Sequence, residues 1–338
     1  MRLPREQQQA LRKAVRLEWL SLGFTAVTLT LVAFVLGGSQ SMKTAWIEDM
    51  LSTVPQIAFL VSLLIIRRSR IRPARPYGVH RASGVGHLVS SVALTVVGAS
   101  LAYEAVSGLA TAEHPAVGTV YLFGQTIWLG WFMMGVMAAI AVPPVLLGRA
   151  KLKLAPVLND KLLYSDAKMN KADWQTNVAS MIGVAGIGLG LWWVDFVAAL
   201  IISVDITKDG VQNLRAATLD LVDRRATTHD NVDPIPAIAA VTEAVETLPW
   251  IREAACRVRD LGRMLHVEVF VVPRGGTLSV EQAQETADTC RSVEWTVEDV
   301  VVMPVPRIPA FLDPADRWGP PRTRGDIPPW LGSGGDCR

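Results

Sequence analysis

The chain reads as an all-α membrane bundle of six transmembrane helices followed by a small α+β cytoplasmic domain. Three observations predict this. Half of the 338 residues are apolar, and the mean hydropathy is +0.30. The apolar residues gather in six runs, most of them close to the roughly 20 residues that a membrane helix needs. From about residue 215 the sequence turns polar and takes on the mixed periodicities of a small soluble domain. The net charge of +2 is bland, and no nucleic-acid partner is expected.

The runs fall at roughly 18–37, 45–66, 84–108, 122–147, 170–190 and 192–210. The first follows the basic segment "MRLPREQQQALRKAVR" but is long enough to span, and further spans follow, so it is a retained helix rather than a cleaved signal. The second contains Pro55, which should kink it and free a carbonyl. The fourth is long and carries Pro143-Pro144, where a break should fall. The fifth and sixth are separated only by "GLWWVD", a tight hairpin that sets Trp192 and Trp193 at the interface. Basic residues mark every second connection: Arg2, Arg5, Arg12, Lys13 and Arg16; then Arg67, Arg68, Arg70, Arg72, Arg75 and Arg81; then Arg149, Lys151, Lys153 and Lys161. The loops between them carry Lys43, or Glu104, Glu113 and His114. An excess of Lys and Arg stays inside, so both termini are expected in the cytoplasm, with the chain multi-pass in the cytoplasmic membrane and the lipid bilayer as its first partner.

The spans occupy residues 1–214. A linker, "RAATLDLVDRRATTHDNVDP", is expected over 215–234, and the cytoplasmic domain over 235–306. "IPAIAAVTEAVETL" has helical periodicity, "REAACRVRDL" and "MLHVEVFVVP" read as strands, "LSVEQAQETADTCRSV" as a helix opening on a Ser-x-x-Gln capping pattern, and "TVEDVVVMPVP" as a third strand. This α-β-β-α-β order, ferredoxin-like in kind, gives a small sheet with helices on one face. The tail over 307–338, rich in Pro, Gly and Arg, is expected to be disordered. Cys256, Cys290 and Cys337 are odd in number and lack metal-ligand spacing, so reduced thiols are expected. Without a phosphate loop, a glycine-rich nucleotide motif or a nucleophile–base pair, neither an enzyme nor an organic cofactor is expected.

Ionisable residues at membrane depth point to function. In "TAWIEDMLSTVPQIAFL", Asp49 and Thr53 are four apart and share a helix face, with Glu48 rotated to one side. In "LLYSDAKMNKADWQTN", Met169, Asp173 and Asn177 repeat that spacing. If the two faces oppose each other, two carboxylates, a hydroxyl and an amide converge, and a cation is the natural partner for carboxylates that would otherwise repel. Alternatively, Glu48 and Asp49 lie at the outer interface and Asp173 pairs with Lys171 or an arginine. Asp166 lies near the inward mouth. Asp195, beside two tryptophans, reads as an interfacial helix cap, and His87 as an interfacial histidine.

With those residues in view, the chain over about 15–305 resembles the cation diffusion facilitator family of membrane metal transporters. "RPYGVHRASG" is similar to the family's element after its second helix, "SDAKMNKADWQTN" to its fifth-helix element, and "VDFVAALIISVDITKDGVQNLRAATLDLVDRR" to its sixth helix and exit. The resemblance implies divalent metal cation efflux, alternating access with protons as counter-ions, and a homodimer formed through the C-terminal domain. Carried over by position, Asp49 and Thr53 match the second-helix ligands, Asp173 the acidic fifth-helix position, and Met169 stands where that family has histidine or aspartate. His266 matches a regulatory metal position on a strand, with Met303 in place of a further ligand; alone on a strand, it also reads as a satisfied core or surface histidine. A set of Asp, Asp, Thr, Met and Asn lacks the His and Cys that zinc prefers, so among Mn, Fe, Co and Zn the reading favours Mn or Fe. A transport-incompetent scaffold, or a membrane sensor, is the alternative.

Overall fold

The structure, a computed structural model, describes residues 4–68, 79–122, 124–309 and 312. Arg70, Arg72, Arg75, the Tyr77-Gly78 turn, Cys337 and nearly all of the expected tail lie outside the described residues. The chain divides into two compact units, one built on the residues up to Arg224 and the other on most of those from Arg225 onward.

The first unit contains α1 (Arg5–Val35), α2 (Gln40–Arg68), α3 (Ala82–Ala110), a hairpin of β1 (Thr119–Leu122) and β2 (Gln125–Trp128), α4 (Leu129–Ile140), α5 (Val142–Leu152), α6 (Ala155–Leu158), α7 (Lys161–Gly188) and α8 (Trp192–Leu221). Among the described residues, four stretches are long and apolar enough to cross a membrane: α1, most of α2, α3, and α4 with α5. The helices α7 and α8 are 28 and 30 residues long, but their polar content keeps them out of that set.

Two boundaries differ from expectation. The fourth run does not begin as helix at 122. Alternating β-branched and aromatic residues over 119–128 pair Thr119 with Trp128 and Val120 with Ile127, Gly124 turns the chain at φ 82°, and helix starts only at Leu129. It then breaks at Ala141, so that the prolines fall in the first turn of α5, where a missing N–H costs nothing. The second difference is at the exit. Helix α8 runs to Leu221, through the first part of the segment expected as linker, and Arg224 Nε donates to Asp220 Oδ1 at 2.8 Å across that end.

Helices α1, α2 and α7 pack around a shared seam. At one end Val32, Met42, Ala45 and Val184 form an apolar cluster; at the other Ala14, Phe59, Leu63 and Leu163 do. Helices α3 and α8 lie against each other through small residues. A Cβ on Gly98 would come within 2.7 Å of Thr207 Oγ1, and one on Gly210 within 2.6 Å of the Thr95 nitrogen. Without side chains at these points the two backbones can approach, which is how helices associate where no hydrophobic drive separates protein from lipid.

Asp195 is fully buried. It caps a helix, as its position suggested, but a different helix from its own. Its carboxylate accepts from Ser39 Oγ at 2.7 Å, Gln40 N at 2.6 Å, Ser41 N at 3.3 Å and also from Ser41 Oγ. These include orphan donors of the α2 N-terminus, and a negative charge there also complements the helix dipole.

In the second unit α9 (Ala237–Glu246), β3 (Ile251–Leu261), β4 (Met264–Pro273), α10 (Val280–Val293) and β5 (Val297–Pro304) follow the expected order. The sheet order is β3-β4-β5, and β5 runs parallel to β4 with Val267 opposite Val300. Val241 and Val245 of α9 and Cys290 of α10 pack on Ala254, Val267 and Val269 of the sheet. The capping box forms at α10: Gln282 N donates to Ser279 Oγ at 3.2 Å, and Ser279 N to Gln282 Oε1 at 3.0 Å. Cys256 and Cys290 are both buried, and the Cys256 thiol donates to the Ile238 carbonyl at 3.3 Å. Burial, with Cys256 adding to it, pushes the Cys290 thiol up to about 12.

Two outcomes are expected. Asp195→Ala should lower stability by about 1–3 kcal/mol, because several buried donors lose their acceptor; a falling melting temperature measures this, with Asp195→Asn in between. In a Cys337→Ser protein, maleimide should modify neither remaining thiol until denaturant is added, and rapid labelling of the native protein would contradict their placement.

Candidate functional site

The polar residues of α7 follow one stripe. Asp166, Asn170, Asp173, Asn177 and Ser180 are all buried and succeed one another by four, three, four and three residues. That alternation follows the helix period of about 3.6, so the five stay on one face. Asn170 Nδ2 donates to the Asp166 carbonyl at 3.0 Å, and Asn177 Nδ2 to the Asp173 carbonyl at 2.9 Å. The amide hydrogens are thus tied to the helix's own backbone, and the amide oxygens keep their lone pairs for other partners.

On α2 the corresponding stripe is Asp49, Ser52 and Gln56. Ser52 Oγ donates to the Asp49 carbonyl at 2.7 Å. On α1 it is Ser21, Thr25 and Thr28, all buried, with Thr28 Oγ1 bonded to the Thr25 carbonyl at 2.9 Å. The three stripes meet in one narrow cavity. Asp49 and Ser52 line it from α2; Asn170, Asp173 and Asn177 from α7; Ser21, Thr25 and Thr28 from α1; Ile140 and Pro144 close it with apolar surface. A single ion or water fills such a space. Two carboxylates from different helices therefore share a small chamber whose other polar lining is hydroxyl and amide groups.

Of the five candidates on the spans, Asp49, Asp173 and Asn177 are brought together here. Thr53 and Met169 are not among the lining residues. Thr53 is half-buried, and its hydroxyl bonds the Met50 carbonyl of its own helix at 2.7 Å. Met169 packs against the apolar cluster of Leu94, Leu101, Ile202 and Ile206 between α3 and α8. Their neighbours Ser52 and Asn170 line the chamber instead. Asp166 lies one turn beyond Asn170, and its carboxylate meets the Lys151 ammonium at 2.5 Å. His87 is buried, with Nε2 3.3 Å from Asn213 Oδ1.

Residues 19–222, more than half of the chain, match the model of the cation efflux transmembrane domain. The chain belongs to the cation diffusion facilitator family. Three relatives agree with that membership. An uncharacterized transporter, YdbO, of Bacillus subtilis (strain 168) is 25% identical over 292 residues, covering 84% of this chain and 91% of its own length. The manganese efflux system protein MneS of the same organism is 23% identical over 265 residues, 78% of this chain and 84% of its own. Metal tolerance protein C1 of Arabidopsis thaliana is 24% identical over 266 residues, 74% of this chain but 53% of its own. This family member is therefore a multi-pass membrane transporter rather than an enzyme.

In the second unit, His266 stands buried on β4 with both ring nitrogens engaged: Nδ1 lies 2.6 Å from Asp299 Oδ2 and Nε2 3.1 Å from Glu268 Oε1. Arg257 Nε donates to the other oxygen of Glu268 at 2.7 Å. Burial raises the Glu268 carboxyl, but the hydrogen bonds from Arg257 and His266 outweigh it and hold the group below its ordinary value. The imidazole is thus satisfied by carboxylates. Among the described residues of this transporter, no three His, Cys, Asp or Glu side chains gather in a metal-holding group. Any ion in the α1–α2–α7 chamber must lean on amide and hydroxyl oxygens beside its two carboxylates.

The sequence signal for Ser52 and Asn170 was the alternation of steps, and for α1 the spacing of Ser21, Thr25 and Thr28 within "SLGFTAVT". The chamber distinguishes neighbours in a measurable way. Ser52→Ala and Asn170→Ala should each weaken cation binding by about 1.5–3 kcal/mol, roughly tenfold or more. Thr53→Ala and Met169→Leu should leave it near wild type, as calorimetric titration of the purified protein would show.

Proposed function

We propose that this family member is a divalent metal cation efflux transporter of the cytoplasmic membrane, exchanging metal for protons by alternating access at the Asp49–Asp173 chamber. One observation carries the reading: two carboxylates from α2 and α7 line a single-ion cavity inside the helical unit. Unpaired charges there would be costly, whereas a bound cation neutralises both.

The donor set favours manganese. Carboxylate, hydroxyl and amide oxygens suit a hard divalent ion, and the chamber offers none of the His or Cys ligands that zinc selects. Iron drew its support from the Met169 thioether, which packs in an apolar cluster instead. The manganese efflux protein among the relatives is consistent with this preference. Protons and metal compete for the same carboxylate oxygens, so acid on the far side promotes release. In this reading α7 and α8 are the fifth and sixth spans, both termini are cytoplasmic, the Lys161 end of α7 is the inward mouth, and two copies associate through the C-terminal units.

Uptake of Mn²⁺ into everted membrane vesicles tests the proposal. Wild-type uptake should require an imposed pH gradient, and Asp49→Asn and Asp173→Asn should each abolish it while the purified variants keep their elution profile. Undiminished uptake by both variants removes the site assignment. Uptake indifferent to the gradient removes the antiport.

A further inference from the structure

The polar seam continues beyond the chamber, toward the Lys161 end of α7. There Glu18 of α1, Lys151 of α5 and Asp166 of α7 meet, each essentially without solvent exposure at 0%, 0% and 1%. The Lys151 ammonium lies 2.9 Å from Glu18 Oε2 and 2.5 Å from Asp166 Oδ2. One ammonium faces two carboxyl groups, so with both of them ionised the group would carry one negative charge in excess. The second oxygen of each carboxylate, Glu18 Oε1 and Asp166 Oδ1, is buried with no hydrogen-bond partner.

A fourth buried polar residue falls at the same level of the bundle. Gln56 is fully buried, and both its Oε1 and its Nε2 lack a partner. Helix α2 runs antiparallel to α1: Trp46 Nε1 bonds the Leu29 carbonyl at 2.9 Å, while Phe59 clusters with Ala14 of α1 and Leu163 of α7. That register sets Gln56 level with Glu18. On its own helix Gln56 falls between Ser52, which lines the chamber, and Phe59, which packs on α1 and α7, so its side chain enters the same seam. Ser21 Oγ, in the chamber wall one turn from Glu18, is likewise buried and unpartnered.

Unpartnered polar atoms at this depth are costly, and here they come from three helices around one ammonium and two carboxyl groups. Their chemistry is that of a cation's oxygen ligands. We propose that Glu18, Asp166 and Gln56 form a second cation site, a waiting station between the inward mouth and the Asp49–Asp173 chamber. The Lys151 ammonium is its tethered counter-charge and competes with the transported ion for the same two carboxylates. With the ammonium in place the carboxylates carry one excess negative charge; with it drawn aside they carry two, which matches a divalent ion. The choice of a divalent metal as the ligand rests on the function proposed above, and the location does not.

The test is Mn²⁺ binding to the purified full-length protein, read from loss of the free-ion electron paramagnetic resonance signal. In an Asp49→Asn/Asp173→Asn background, one weaker Mn²⁺ site should remain. Adding Lys151→Met should tighten it about tenfold, because a competing unit charge is removed. Adding Glu18→Gln instead should abolish it; this change leaves Lys151 paired with Asp166, so it decides the matter even if the Lys151 variant does not fold. A background variant that binds no Mn²⁺, or whose binding ignores Glu18→Gln, overturns the second site while leaving the chamber intact. Equal binding by wild type and the background variant, abolished by Glu18→Gln, would uphold this site and overturn the chamber.

Discussion

A polar side chain inside a helix bundle in lipid must find another polar group, and that requirement arranges most of the first unit. On α7 the buried polar residues Asp166, Asn170, Asp173, Asn177 and Ser180 keep to one face, and on α1 and α2 the polar residues of the Glu18–Thr28 and Asp49–Gln56 stripes do the same. Three helices that each carry one polar stripe can bury it only by turning the stripes toward a common line. The remaining faces are free to be apolar and outward, as Trp174, Val178 and Ile182 of α7 are. The glycines of α3 and α8 then let those two helices approach each other closely, against Thr207 and Thr95.

The seam is not chemically uniform. Around the chamber, hydroxyls and amides spend their hydrogens on carbonyls of their own helices, as Ser52, Thr28, Asn170 and Asn177 do. What they present to the interior is oxygen. Nearer the Lys161 end of α7 the seam changes to formal charge, with Lys151 set between Glu18 and Asp166. A cation moving along it would pass from a charged region to one of neutral oxygens flanked by two carboxylates. This gradation follows from residue type and spacing alone.

Much of this was legible in the sequence. Long apolar runs announce helices whatever their packing, and the α-β-β-α-β order of the second unit followed from its two periodicities. Charges inside apolar runs drew attention to Asp49 and Asp173, and the four-residue step from Asp173 led to Asn177. The differences between the expected residues and those that line the cavity or sit buried have separate causes. Following strict steps of four led to Thr53 and Met169, yet four residues turn a helix by about 400°, so two such steps drift by about 80° off the face. Steps of three and four cancel that drift and reach Ser52 and Asn170. The α1 stripe was overlooked because hydroxyls in an apolar run look neutral. Lys151 counted as a loop charge because it follows Pro143-Pro144, although helix resumes there and carries it inside. The β1–β2 hairpin hid in an apolar run because strand and helix can share that composition over a short length.

The attachment of α2 has a mechanical consequence. Among the described residues, its hydrogen bonds to neighbouring helices lie near its start, where Asp195 holds Ser39 to Ser41, Ser180 Oγ reaches the Ser41 carbonyl at 3.3 Å, and Trp46 reaches α1. Beyond Asp49, the hydroxyls of Ser52, Thr53 and Ser62 bond carbonyls of α2 itself, and Pro55 brings no N–H to the helix ladder. The helix is therefore a cantilever, clamped at one end and merely greased along the rest by contacts such as Phe59 on Leu163. Swinging its free half slides apolar surfaces past one another and breaks few directional bonds. Because Ser52 rides on that half, any swing of it would reshape one wall of the chamber.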